Sequence, residues 1–317
     1  MLITGLTKDN VQEYRDFLTS DIAELIGRNF VSGFALEDED TNSPLAGIVW
    51  EFTQGEDELD TRSRILFIKA KDEESAGNLL EAFTDIATQT GCSDTVFDLA
   101  VSMGSVEKKA LEEAGFSMEE REGQVVSVAL ADLGMTLLND KDKADERVIP
   151  LSEIDDRELY SALSGLDMEG IRGTCDDMPY LARDYFEDEI SCCLEDEEDE
   201  ELNALVLFHK KPSGKLELIL CEALEDATMS AVDLLKQAVM LAEEKYEPST
   251  KILIDCRYGQ LQKLINSLFP KAKSTKVIAG YRKEAGPNLD ELEAEEEEYE
   301  EYEEYEEFDE FEELDLF

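Results

Sequence analysis

Residues Ile65 to Phe83, ILFIKAKDEESAGNLLEAF, carry the reading that decides the fold. The stretch opens as an apolar run ending at Ala70, the pattern of a buried strand, and passes directly into an amphipathic helix read over Glu74 to Thr90. Ahead of it, Val11 to Gly27 has helix-period apolar residues. Phe30 to Leu36 and Leu45 to Phe52 read as strands of a hairpin across Asp38 to Pro44 (DEDTNSP). Behind it come a strand at Thr95 to Val101, a helix at Val106 to Ala114 stopped by Gly115, and a strand at Gln124 to Leu130.

The same order recurs further on. Helix begins after Ser152, with a second short one read at Tyr180 to Phe186. Ile190 to Leu194 and Leu202 to His209 form a hairpin across the acidic turn Glu195 to Glu201. Strand Leu216 to Leu224 feeds helix Thr228 to Lys245, followed by strand Lys251 to Asp255, helix Gln260 to Leu268 and strand Lys276 to Arg282. Spacing supports a duplication: Ser75-Ala76 precedes Leu79-Leu80 and Phe116 follows, while Ser230-Ala231 precedes Leu234-Leu235 and Phe269 follows at nearly the same distance. Three segments result: 1–136 and 146–286, two α/β domains each with a mixed sheet flanked by helices, and an acidic tail at 287–317. The polar stretch 139–146 (NDKDKADE) is the linker.

The chain of 317 residues is long enough for two cores. With 79 acidic against 29 basic residues and a formal net charge of -50, it lacks the cationic surface that nucleic acid or an anionic bilayer would need. No leader-like or membrane-spanning run is present, so a cytoplasmic location and reduced thiols are expected. Cys192 and Cys193, adjacent on a strand, should point to opposite faces as free thiols.

This layout resembles the GNAT superfamily of N-acetyltransferases over most of 1–286. The carrying features are the quoted strand-to-helix step and the later helix ending KKALEEAGF, Lys108 to Phe116. The resemblance implies an acetyl-CoA or other acyl-CoA cofactor and an amine acceptor. It places the pantetheine arm against a strand that splays from its neighbour, and the pyrophosphate in a loop of pattern R/Q-x-x-G-x-G/A at a helix N-terminus. Registered on the Leu-Leu pair, that loop becomes Lys71, Glu74 and Ala76 in the first half and Asp226, Met229 and Ala231 in the second; only the last position matches. Asp72, Glu73 and Glu74 set negative charge where phosphates would lie, a repulsion of about 1 to 4 kcal/mol per close pair. The second half is therefore the expected cofactor half, through Leu220, Asp226, Met229, Ser230 and Ala231.

The family's tyrosine acid is replaced by Leu111 and Leu264, and the glutamate that other members use as a base falls on Glu217. A non-catalytic tandem protein that binds through its clefts and tail stays open beside the enzyme. His209, the only histidine, reads as a strand-end surface residue, and no metal motif is present. In the tail an apolar ring or leucine recurs every third position from Tyr299 to Phe317 among acids. This suits either a solubilising bristle or a segment docking on a basic protein surface.

Overall fold

A computed structural model describes residues 1–284 apart from 55–59, 139–142, 172, 176, 196–201, 224–228, 258, 271 and 273. The acidic tail and most of the acidic hairpin turn lie outside the described residues. In chain order the first part contains β1 (Leu2–Gly5), a 3-10 turn (Val11–Tyr14), α1 (Ser20–Leu25), β2 (Val31–Glu37), β3 (Pro44–Gln54), β4 (Thr61–Ala70), α2 (Glu73–Gln89), β5 (Cys92–Ala100), α3 (Ser105–Glu113), β6 (Ser117–Glu122), β7 (Val125–Ala129) and α4 (Leu130–Leu137). The second contains β8 (Val148–Pro150), α5 (Asp156–Met168), β9 (Cys192–Glu195), β10 (Leu202–Lys210), β11 (Leu216–Ala223), α6 (Ala231–Lys245), β12 (Lys251–Asp255), α7 (Gly259–Leu268) and β13 (Lys276–Lys283), with short 3-10 turns at Leu151–Glu153, Met178–Tyr180 and Arg183–Tyr185. Among the described residues no helix is long and apolar enough to cross a membrane.

The quoted stretch folds as its periodicity says. α2 is capped by Asp72, whose carboxylate accepts from the Ser75 amide, and it buries Ala76, Leu79, Leu80, Phe83 and Ala87 along one face. α6 repeats this with Ser230 as cap and Leu234, Leu235, Ala238, Val239 and Ala242 inward. Cys192 and Cys193 are free thiols that face opposite sides of their sheet, each buried in a different cluster. Val11 to Gly27, in contrast, is not one helix: the chain turns after Tyr14, and Thr19 caps the separate short α1.

Strand order corrects the division by sequence. The first sheet runs β1-β2-β3-β4-β5-β13-β6 and the second β7-β12-β11-β10-β9-β8. β13, last in the chain, lies between β5 and β6 of the first sheet, and β7, from the first half, pairs with β12 of the second. The halves exchange their final strands reciprocally, so 1–136 and 146–286 are not separate bodies in space. The crossing point is marked by Gly123, whose amide donates to the Thr275 carbonyl at 2.9 Å. A Cβ at Gly123 would stand 2.5 Å from that same carbonyl oxygen, so only glycine lets the two backbones pass. Past it, α4 packs on α6, with Leu130, Leu133 and Leu137 in the second half's core.

Each sheet has a core on both faces. In the first, α2 and α3 cover a cluster around Trp50, Phe83 and Phe97, while the N-terminal segments cover Leu6, Val11, Tyr14 and Leu18 on the other side. In the second, α4, α6 and α7 cover one face and α5 with the segment before β9 covers the other.

Candidate functional site

Both halves keep a splayed strand. β4 pairs in parallel with β5 only from Thr61 to Ile65, and β11 with β12 only from Leu216 to Leu218; beyond those points the strands separate. A bulge marks each divergence. The β3/β4 register skips Leu66, and the β10/β11 register skips Ile219. As a result Leu66 and Phe67 turn to the same face, and so do Ile219 and Leu220.

The first splay is filled from within. Freed from β5, the Ala70 amide donates at 3.0 Å to Oε1 of Glu107 on α3, a carboxylate in a residue that is 6% exposed. At the start of α2 the Asp72 carboxylate takes the Ser75 amide at 2.8 Å, and that hydrogen bond holds the Asp72 carboxyl below the usual carboxylate range. Two of the amides placed to meet a pantetheine and a pyrophosphate are thus taken by the chain's own carboxylates, an arrangement that suits an acyl-CoA poorly.

The second splay differs. Residues 219–223 of β11 have no pairing with β12, and one of their backbone groups, the Ile219 carbonyl, accepts from the Thr174 amide at 2.9 Å. The helix that follows starts at Ser230, an uncharged cap, with Asp233 in its first turn paired to Lys236. Of the sequence-derived cofactor residues, Asp226 lies outside the described residues. Leu220 and Met229 have buried side chains in two different clusters, so either would meet a ligand through its backbone. Ser230 and Ala231 stand at the helix N-terminus. A strand that parts from β12 after Leu218, with an uncharged helix N-terminus following it in the chain, suits the arm and phosphates of an acyl-CoA better than the acid-capped first half does.

Glu217 lies two residues before the bulge, on the face that Ile219 shares. Cross-strand pairing sets it in a row, His209 on β10, Glu217 on β11, Leu253 on β12 and Ser127 on β7. The row runs from the buried His209 to the exposed Ser127, so the face opens toward β7. Glu217 Oε2 is 2.7 Å from Lys211 Nζ. Burial would lower the Lys211 pKa, but the neighbouring Glu217 carboxylate outweighs it and the pKa is raised.

Around this row a polar cluster is built from both halves. His209 is not at the surface: it is 3% exposed, with its ring stacked on Tyr185 at a centroid distance of 3.9 Å. Its Nδ1 faces the Tyr185 carbonyl at 2.6 Å and so donates, while Nε2 lies 2.9 Å from the Glu24 carboxylate of α1. Polarity alone had suggested exposure, but cover comes from a residue far earlier in the chain. Arg28, just before β2, grips Asp177 through two nitrogens. Burial pushes the Cys175 thiol up to about 11 and the Tyr185 hydroxyl still higher. A cleft of about 490 Å³ lies between the halves, lined by Glu24, Arg28, Asp177, Tyr180, Tyr185 and His209 among others. No motif in the sequence announced Arg28, Asp177 or Tyr185; their meeting depends on how the halves dock.

No protein-family model matches the sequence, and no curated protein matches it. Solved structures do. A tandem GNAT protein from the clavulanic acid biosynthesis pathway superposes with a TM-score of 0.58 at 7% identity, over 90% of this chain and 99% of that one. The GCN5-related glucosamine N-acetyltransferase region of a fungal multi-domain GH3 beta-N-acetylglucosaminidase gives 0.53 at 9% identity, over 89% of this chain. The present chain spans 38% of that fungal protein. The chain thus has a tandem GNAT-like fold, and at these identities the fold is what the three share.

Proposed function

We propose that the chain is an acyl-CoA-dependent N-acyltransferase whose second half holds the working site and whose first half is structural. The observation that carries this is the combination, in the second half, of a strand that parts from β12 after Leu218 and is followed by an uncharged helix cap, Ser230, with a carboxylate on that same strand, Glu217. Bound there, an acyl-CoA would supply the activated acyl group as a thioester. The backbone of Leu220 and Met229, with Ser230 and Ala231 at the helix N-terminus, would hold it, and Asp226 precedes them in the sequence.

The acceptor is an amine. Glu217 is the carboxylate on this face that would meet a protonated amine on a small molecule or a peptide, and the amine would displace Lys211 from it. Glu217 would then accept the proton that the amine must lose before its lone pair can attack an acyl carbon. The large negative charge of the chain favours cationic acceptors during encounter.

Release of free CoA thiol from acetyl-CoA, measured against a panel of polyamines and lysine peptides, tests the reading. Turnover with at least one amine, lowered about 100-fold or more in Glu217→Gln with acetyl-CoA binding unchanged, is the expected result. Binding without turnover on any amine would favour a second reading, supported by the acid-filled first splay and by Lys211 seated on Glu217. In that reading the chain is a non-catalytic tandem protein that binds through its clefts and through an acidic tail docked on a basic protein surface.

A further inference from the structure

The segment before β9 lies over the Glu217 face, and the first half holds it there. Met178, Leu181 and Phe186 of this segment are buried with α5, Ile219 and Leu220, and Thr174 donates to the bulge carbonyl of Ile219. None of these contacts uses the charge of Asp177, whose side chain is 0% exposed. That charge is met from the other half of the chain. Arg28 Nε donates to Asp177 Oδ2 at 3.1 Å and Nη2 donates to Oδ1, a bidentate pair in which the Arg28 side chain is only 12% exposed.

Two further contacts repeat the arrangement on either side. Phe30 meets Tyr180 edge to face at 6.4 Å, and Glu24 reaches His209 beneath the stacked Tyr185 ring. The guanidinium carbon of Arg28 is also 5.8 Å from the centre of the Tyr185 ring. First-half residues between Glu24 and Phe30 therefore touch the segment at Asp177, Tyr180 and Tyr185.

A buried ion pair is a poor source of net stability, because desolvation offsets the attraction, but it fixes geometry, and losing one partner leaves an uncompensated charge. We propose that Arg28 is a positioning residue for the acceptor side of the second-half site: through Asp177 it clamps residues 177–186 over Glu217, so that the first half completes a site it does not itself contain. This rests on the acyltransferase reading for the site's chemistry, whereas the clamp itself can be measured without any substrate.

The test uses the full chain as wild type, Arg28→Leu and the double variant Arg28→Leu/Asp177→Leu, which removes both charges and keeps apolar bulk. Hydrogen exchange of residues 177–186 is read first. It should quicken at least tenfold in both variants, while the amides of α2 and α6 stay as protected in the double variant as in the wild type. The acceptor KM should rise at least tenfold in both, with kcat and the acetyl-CoA dissociation constant within about twofold of wild type.

Unchanged exchange at 177–186 in Arg28→Leu overturns the proposal. So does a double variant that regains wild-type exchange and acceptor KM along with its stability, since that describes a replaceable structural contact. A wild type that fails to bind acetyl-CoA sinks the acyltransferase reading, and with it the acceptor role of Arg28. The exchange result alone then decides whether the clamp exists.

Discussion

Gly280 on β13 offers the sharpest test of the strand exchange. A Cβ at this position would fall 2.1, 2.2 and 2.7 Å from three atoms of the Phe97 ring, where packed carbons keep about 3.5 to 4 Å. Phe97 has nowhere to go: it is 2% exposed and its ring leans on Phe116 at 5.3 Å. Gly280→Ala must therefore push β13 or the ring by more than an ångström, and overpacking of this kind costs about 1 to 3 kcal/mol. Removing a glycine from the unfolded chain returns about 0.5 to 1 kcal/mol, leaving a net loss of about 1 kcal/mol at the midpoints and at most about 2.5 kcal/mol. The reporter is Trp50, the single tryptophan, which is 1% exposed in the first half's core and packed edge-on against Phe34 and Phe83. Urea unfolding followed by Trp50 emission should show its midpoint lowered by an amount equivalent to that loss. If β13 belonged to the second half, as sequence order suggests, the Trp50 transition would not move. An unchanged midpoint would refute the exchange.

Other outcomes follow from the same coordinates. Five of the six cysteines are buried, and Cys256 is partly exposed; burial raises the Cys92 and Cys175 thiols to about 11 and Cys221 to about 12. A thiol reagent at pH 8 should modify Cys256 first, the other five reacting only after denaturant is added; several fast thiols in the native protein would contradict this burial. The same shifts set an alkaline limit. The unfolded thiols lose protons near pH 9 while the native ones keep theirs, so stability is retained below about pH 9 and falls by about 1.4 kcal/mol per pH unit per buried thiol above it. A thermal midpoint flat from pH 9 to 11 would count against it. Glu107→Leu should cost about 1 to 3 kcal/mol by stranding the Ala70 amide. It should also leave the first half unable to bind acetyl-CoA, because Asp72 still caps α2; new binding there would show that Glu107 was the sole obstacle.

Much of the fold was written in local periodicity. Ile65, Ile68, Leu79, Leu80 and Phe83 are all buried as the switch from strand to helix spacing requires, and the Leu234-Leu235 pair repeats it. What periodicity cannot carry is partnership. The apolar run Val277 to Gly280 says that β13 is covered, not which sheet covers it, and β1 and β8 are too short for any pattern to register. Glu217 was named from the sequence only because it lies near a family position on a strand. Its neighbours were hidden: Arg28 meets Asp177 across 149 residues and Glu24 meets His209 across 185, so no window along the chain contains either pair. The acids of the first splay were half legible, since those at 72–74 stood in the sequence, whereas Glu107 enters only through the packing of α3 against the splay.

The central claim is that the second half alone takes the acyl-CoA, and hydrogen exchange of the full chain with and without millimolar acetyl-CoA addresses it directly. The account predicts added protection at 219–223 and 230–234, with 66–70 and 73–76 unchanged. Protection at 66–70 and 73–76 instead, or at neither place, would contradict it.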